Sequence, residues 1–271
     1  DAAGNIAEVG ANVTDWKVGD RVLIDPRDRQ GAGLFGETVD GGLAEYARVP
    51  AHQLVPIPEN VGFTEAASLP VAYGTAHRMM VTRGEVTADD KVLILGASGG
   101  VGTGALLLAK IIGAEVVACG SSQAKLDALT EMGADHVIDY MEVDFVKEIW
   151  KLYEKPHRRK EAGGVTVAVN FTGGDTWVKT MKCLRRGGRL LTCGATAGYD
   201  PATDLRYVWS FEFDIRGSNS WEPEDLTALL DMISTGELQV PIHHTYPLTE
   251  AQEALRVIEE REVIGKVIVA P

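Results

Sequence analysis

The residues best placed to do chemistry lie in one stretch, "VLILGASGGVGTGALLLAKIIGAEVVACGSS", positions 92–122. It opens as an apolar run, passes through a knot of small residues and resumes with helical spacing. The frame Ala97-x-Gly99-x-x-Gly102 reads as a dinucleotide fingerprint. Gly99 would let the backbone approach a pyrophosphate, and Gly102 would let the next helix pack closely on the strand. A helix that starts at the phosphate turns its free N–H groups and positive dipole end toward the negative charge. Ala97, Ser98, Gly99, Gly100, Val101 and Gly102 therefore form the candidate phosphate loop.

The second chemical signal lies at the end of the next strand. An NAD site places Asp or Glu there, to accept from the ribose 2′-hydroxyl. Here that position holds Gly120, with Ser121, Ser122 and, one helical turn later, Lys125 after it. A carboxylate would repel a 2′-phosphate, whereas hydroxyls and an ammonium bind one. The expected coenzyme is NADPH rather than NADH. Ser121 and Ser122 also suit the cap of the following helix, and the two roles are compatible.

These residues need a scaffold, and the pattern around them supplies it. From Lys91 onward apolar strands ("KVLIL", "EVVAC", "HVIDY", "VTVAVN", "RLLTC", "FDIRGS") alternate with helices ("VGTGALLLAKIIG", "QAKLDALTEMG", "DFVKEIWKLY", "TWVKTMKCLRR", "LRYVWSFE"). Val101, Ala105, Leu108, Ala109 and Ile112 repeat at the spacing of a helix packed on a sheet. Strands apolar on both faces and separated by helices predict a doubly wound parallel α/β sheet. Before it, Val9, Val13, Val18 and Val22 among turn residues, with "DRVLIDP" and "LAEYARVP", read as β-strands and hairpins. "FTEAASLPVAYGTAHRMMV" has helical spacing, and "GKVIVA" closes the chain as a strand. The basic run "KPHRRKE", Lys155 to Glu161, reads as a solvated loop between a helix and a strand, with an anion site as the alternative.

Composition narrows the classes of function. The 271 residues suit about two domains. A net charge of −13 argues against non-specific binding to nucleic acid or anionic membrane. No apolar run reaches the ~18 residues of a membrane span. Three cysteines without paired spacing (Cys119, Cys183, Cys193) suit a reducing, cytoplasmic compartment. The chain opens "DAAGNIAEVGANV", without an initiator Met and within hairpin material, so an N-terminally truncated chain is expected. Such a chain would bind nucleotide but turn over substrate poorly.

The sequence resembles the medium-chain dehydrogenase/reductase superfamily, in particular its quinone-oxidoreductase-like and enoyl-reductase-like members. The matching segments run in order along the whole chain: "DAAGNIAEVG", "WKVGDRV", "GGLAEYARVP", "IPENVGFTEAASLP", "GTAHRMM", "VLILGASGGVG", "GADHVIDY", "LRRGGRLLTCGATAG" and "GKVIV". The resemblance implies a partial GroES-like β-domain at 1–72, a Rossmann domain at 73–237 and a return to the first domain at 238–271. It implies that Tyr140 lies beside Ser121, Ser122 and Lys125 at the 2′-phosphate. It also implies coenzyme contacts from Phe171 and Thr172, and from Cys193, Gly194 and Ala195, at strand ends. Thr75, Ser218 and Asn219 would line the nicotinamide end, with Lys266 as a further contact. Cys193 reads as a small buried residue rather than a reactive thiol.

Zinc is not expected. The segment "DPRDRQGAGLFGETVDGGLAEY" has no cysteine for a structural zinc lobe. Where a catalytic zinc ligand is usual in the superfamily stands Ala67, and His77 and the pair His243-His244 read as ordinary surface or packed histidines. The leading expectation is a zinc-independent NADPH reductase of an activated C=C bond in a small-molecule substrate, a quinone, an enone or an enoyl thioester. A homo-oligomer, dimer or tetramer, is expected. The alternatives are a zinc alcohol dehydrogenase whose ligands precede Asp1, and a non-catalytic nucleotide-binding module. No single residue is assigned as the catalytic group.

Overall fold

The computed structural model describes residues 1–31 and 33–271; position 32, in the cysteine-free segment above, lies outside them. The chain divides into two compact units, 1–74 with 221–271, and 75–220.

In the first unit, β1 (Ala2–Asn5), β2 (Arg21–Ile24) and β3 (Leu54–Pro56) form an antiparallel sheet in that order. Of the four valines read as hairpin material only Val22 lies in a strand. The others sit in the connection between β1 and β2, where Gly19 takes φ +91° and the Asp20 carboxylate accepts from the Lys17 N–H. "LAEYARVP" is not a strand. Its alternation is real, but no described strand pairs with it, and Leu43 and Tyr46 stay exposed. Alternation alone makes no ladder without a neighbour.

The expected helical stretch is present but irregular. α1 (Phe63–Ala67) gives way to a π-helical turn over Leu69–Gly74, around Pro70. Proline lacks the N–H that an α-helical ladder needs, and a widened turn accommodates that loss.

The second unit opens with α2 (Thr75–His77) and a further π-helical turn over Arg78–Arg83. It then alternates: β4 (Lys91–Ile94), α3 (Gly100–Ile112), β5 (Glu115–Gly120), α4 (Gln123–Glu131), β6 (His136–Asp139), α5 (Phe145–Tyr153), β7 (Val165–Val169), α6 (Gly174–Met181), β8 (Leu184–Thr192), α7 (Leu205–Ser210) and β9 (Asp214–Gly217). The six strands are parallel and ordered β6-β5-β4-β7-β8-β9. This is the doubly wound order, with its switch point between β4 and β7.

Successive side chains of each strand enter opposite cores. Val92, Ile94, Val116 and Val167 pack with Ala105, Leu106 and Ala109 of α3 on one face. Leu93, Val117, Cys119 and Ala168 pack with Phe145, Val146 and Ile149 of α5 on the other. One helix assignment fails at its end: Leu184, Arg185 and Arg186 of "TWVKTMKCLRR" begin β8. That strand bends at Gly187, whose φ is +72°.

The chain re-enters the first unit at Trp221, ahead of the position 238 implied by the resemblance. The reason is α8 (Pro223–Ser234), whose Leu226, Leu229 and Leu230 are buried. A Cβ on Gly74 would stand 2.9 Å from the Trp221 ring and 3.2 Å from Leu226, so only glycine permits this approach. The Trp221 indole also donates to the buried Asp25 carboxylate at 2.9 Å, and Arg29 donates to the Trp221 carbonyl at 2.7 Å. β10 (Ile242–Pro247) and β11 (Lys266–Ala270) pair in parallel, joined through α9 (Ala251–Glu259). No helix among the described residues is long and apolar enough to cross a membrane.

Candidate coenzyme site

The glycine loop sits where β4 ends, between its two neighbours. Leu95 N–H donates to Val169 O at the end of β7 at 3.0 Å, and Ala97 N–H donates to Cys119 O of β5 at 3.3 Å. The glycine that turns the chain is Gly96, at φ +68°, one residue before the frame read from the sequence. A Cβ there would also stand 3.2 Å from the Phe171 ring.

Of the other two glycines, Gly102 packs as expected. A Cβ on Gly102 would fall 2.2 Å from Gly96 O and 2.6 Å from Ala97 Cα, so α3 reaches the loop only because Gly102 has no side chain. A Cβ on Gly99 would meet nothing closer than 3.7 Å, and its backbone (φ −80°, ψ 174°) suits any residue. Nothing inside the protein therefore demands glycine at 99. A ligand that approaches the backbone would demand it. The first turn of α3 carries no acidic residue, and its N-cap makes no side-chain hydrogen bond.

Gly102→Ala is expected to cost ~1–3 kcal/mol of stability by overpacking. It should also push α3 off the loop and weaken coenzyme binding. Gly99→Ala should leave stability unchanged and weaken only binding. Thermal unfolding and coenzyme titration of the two variants separate these outcomes.

At the end of β5, Lys125 Nζ lies 3.4 Å from Ser121 Oγ. Tyr140 N–H donates to Gly120 O at 3.2 Å, which sets Tyr140 beside them with its ring exposed. Ser122 occupies the N-cap of α4 without a side-chain capping bond, so the capping role read for it is not taken up. A Cβ on Gly120 would press on the Leu126 side chain at 2.9 Å. Ser121 and Lys125 thus meet beyond the end of β5, with Tyr140 next to it on the paired strand end and no carboxylate on β5 itself at that end.

At the ends of β7 and β8 the two loops are tied together by backbone bonds. Thr196 N–H donates to Phe171 O at 3.1 Å, Ala197 N–H to Thr172 O at 2.7 Å and Gly174 N–H to Gly198 O at 2.9 Å. The organiser is Asn170, fully buried and missed at the sequence level. Its side-chain carbonyl accepts from Thr172 and Gly173 N–H at 3.0 and 2.9 Å, and its amide donates to the Thr176 and Thr180 hydroxyls at 3.1 and 2.8 Å. A single polar residue closing the apolar run "VTVAVN" is the signal that could have found it.

Cys193 is partly buried, and burial pushes its thiol up to about 12, which keeps it protonated and unreactive at neutral pH. Gly194 O accepts from the Thr192 hydroxyl at 3.1 Å, and Ala195 follows in the same loop. Ser218 N–H donates to Thr192 O at 2.8 Å, while the buried Ser218 hydroxyl has no partner among the described residues. Asn219 beside it is exposed. Thr75 is buried in α2, which packs on α3. Lys266 belongs to the first unit, where its ammonium lies 3.3 Å from the Asp1 carboxylate; burial lowers its pKa to about 8.

Among the described residues no three His, Cys, Asp or Glu side chains are grouped to hold a metal. His77 is buried in the helix, and His243 and His244 lie on β10, where the His244 ring meets Tyr246 edge-on at 4.5 Å.

Residues 100–235 match the family model of the zinc-binding dehydrogenases, and residues 1–59 match the alcohol dehydrogenase GroES-like domain. A crotonyl-CoA reductase of Streptomyces avermitilis is 30% identical over 298 residues; the match takes in 98% of this chain and 66% of the relative. A solved NAD-dependent alcohol dehydrogenase superposes with a TM-score of 0.88 at 31% identity, over 99% of this chain and 81% of that one. The structure of a 2-octenoyl-CoA carboxylase reductase, in complex with NADP and 2-octenoyl-CoA, superposes with a TM-score of 0.86 at 33% identity, over 99% and 66%. With the glycine loop, the strand order and the two domain matches in agreement, this chain belongs to the medium-chain dehydrogenase/reductase superfamily.

Proposed function

We propose that the chain carries the coenzyme site of an NADPH-dependent, zinc-independent reductase that saturates an activated C=C bond, with an enoyl thioester as the first substrate to test and enones and quinones next. The observation that carries the coenzyme choice is the polar group at the end of β5: a serine hydroxyl 3.4 Å from an ammonium, where an acidic residue would select NADH. The substrate class rests on relatives named for crotonyl-CoA and 2-octenoyl-CoA.

Each part of the site then has a task. The Ser98–Gly102 backbone and the first turn of α3 hold the pyrophosphate. Ser121, Ser122, Lys125 and Tyr140 surround the 2′-phosphate. Phe171, Thr172, Gly194 and Ala195 border the crevice beyond β7 and β8, and the unpartnered Ser218 hydroxyl meets a polar group at the nicotinamide end. When bound, NADPH supplies the hydride; the protein supplies orientation and a dry, polar setting. Thr75 and Asn219 remain candidates for the same end. The reading includes a small-molecule substrate and a cytoplasmic homo-oligomer, which fits the edge position of β9, paired on one side only among the described residues.

The test uses the purified protein. NADPH oxidation should be rapid with crotonyl-CoA, measurable with enones or quinones, and near background with simple alcohols in the reverse direction. Equal or faster alcohol oxidation with NAD, together with one tightly held zinc per chain by elemental analysis, would instead establish an alcohol dehydrogenase. That second reading is favoured by the solved NAD-dependent relative.

A further inference from the structure

The basic run "KPHRRKE" is absorbed neither by the fold nor by the coenzyme site. It forms the irregular connection between α5 and β7, closed on itself by His157 N–H to Ala162 O (3.1 Å) and Lys160 N–H to His157 O (3.2 Å). Its Arg158 and Arg159 join Arg186, Trp209, Ser210 and Glu212 around a cleft of about 500 Å³. These residues come from the segments that precede β7 and β9 and from the start of β8. All lie at the N-terminal ends of the strands, opposite the glycine loop.

Three features identify what the cleft fits. The first is charge: Arg158 and Arg159 are exposed, and their guanidinium groups form no ion pair among the described residues. They stand in a chain of net charge −13. An acidic partner is repelled by the rest of the molecule and attracted here, which gives both orientation and rate. The second is the site's own carboxylate. Glu212, held at φ +54°, lies 2.6 Å from Arg186, so a carboxylate already fits the guanidinium fork. The third is Trp209, 70% exposed. Tryptophan and arginine are the residue types most enriched at protein–protein hot spots. A small-ligand site would instead be mostly apolar and would enclose its ligand.

We infer that this cleft is a docking site for an acidic protein segment carrying an apolar or aromatic anchor: carboxylates pair with Arg158, Arg159 and Arg186, and the anchor packs on Trp209. Docking there leaves the coenzyme ends of the strands free and is independent of the reductase reading.

A short fluorescein-labelled peptide of Glu and Asp around a central Phe serves as the probe, read by fluorescence anisotropy on the whole chain. Binding is expected to weaken with added salt. The exposed double substitution Arg158→Glu/Arg159→Glu should lower affinity about tenfold or more, with unfolding temperature and NADPH affinity unchanged. Trp209→Ser should lower affinity for this peptide but not for one lacking Phe. Equal binding by the native chain and the double variant would overturn the inference. So would displacement of the peptide by inorganic phosphate or ADP at similarly low concentration, which would make the cleft a small-anion site.

Discussion

Arg189→Met should destabilise the second unit by ~3–5 kcal/mol, the cost of leaving one partner of a buried ion pair alone. Asp90 is 5% exposed and Arg189 lies 2.5 Å from it. The same carboxylate accepts from the Thr166 hydroxyl at 2.7 Å and from the Thr87 N–H at 2.8 Å. Arg189 also donates to the carbonyls of Gly84 and Glu85, each at 2.7 Å, so the pair ties the entry to β4 to the start of β7 and the middle of β8. Methionine keeps the apolar stem and removes only the charge and the donors. Against a typical total stability of ~5–15 kcal/mol the loss is large.

The dependence on pH has a definite sign. Burial alone would raise the Asp90 carboxyl, but the hydrogen bonds from Thr166, Arg189 and Thr87, with the Arg189 charge, outweigh it and hold Asp90 below its ordinary value. In the native chain its contribution is therefore present above the unfolded value of ~3.9 and is lost as pH falls through the lower folded value. Without Arg189 the buried carboxyl rises, and protonation relieves its penalty at a higher pH. The stability gap between native chain and variant should accordingly shrink on acidification. Adding Asp90→Asn to Arg189→Met should restore part of the loss, because it removes the orphaned charge. Urea unfolding of the native chain, Arg189→Met, Asp90→Asn and the double variant across pH measures all of this. A gap that widens toward acid, or a double variant weaker than either single one, would sink the account.

That pair was not legible in the sequence, and the reason is general. Periodicity reports which face of an element is buried, so the strands and helices of the second unit could be read from the apolar pattern of residues such as Val92, Ala105 and Val167. It says nothing of which polar residues meet across the sheet, because Asp90, Thr166 and Arg189 are far apart in the chain. The partners of Asn170 escaped for the same reason: they are backbone groups of a loop and hydroxyls of α6, whose meeting the pattern does not specify. "LAEYARVP" shows the converse, a strand-like pattern that forms no ladder among the described residues. The glycine loop was readable because it is local: strand, glycines and helix come one after another. Even there Gly96, which takes the left-handed backbone one residue before the frame, was not singled out.

Ser121→Asp should reverse the coenzyme preference, shifting the NADPH-to-NADH affinity ratio by on the order of a hundredfold to a thousandfold. Two effects add. A carboxylate beside a 2′-phosphate repels it, and like charges in contact cost several kcal/mol when water is excluded. The substitution also withdraws Lys125, whose ammonium is now 3.4 Å from Ser121 Oγ and would pair with the new carboxylate one turn away. For NADH the same carboxylate is a gain, because it accepts from the ribose 2′-hydroxyl. Position 121 is only partly buried, so solvent and salt reduce each contribution, and the range above already allows for that. Ser121→Ala is the control: it removes one hydrogen bond and introduces no charge, so NADPH should weaken by only severalfold with NADH unaffected. Adding salt should narrow the difference between native chain and aspartate variant, since the discrimination is electrostatic. Calorimetric titration of both coenzymes into the three proteins decides it. An unchanged ratio in Ser121→Asp would place the 2′ position elsewhere and remove the basis for choosing NADPH.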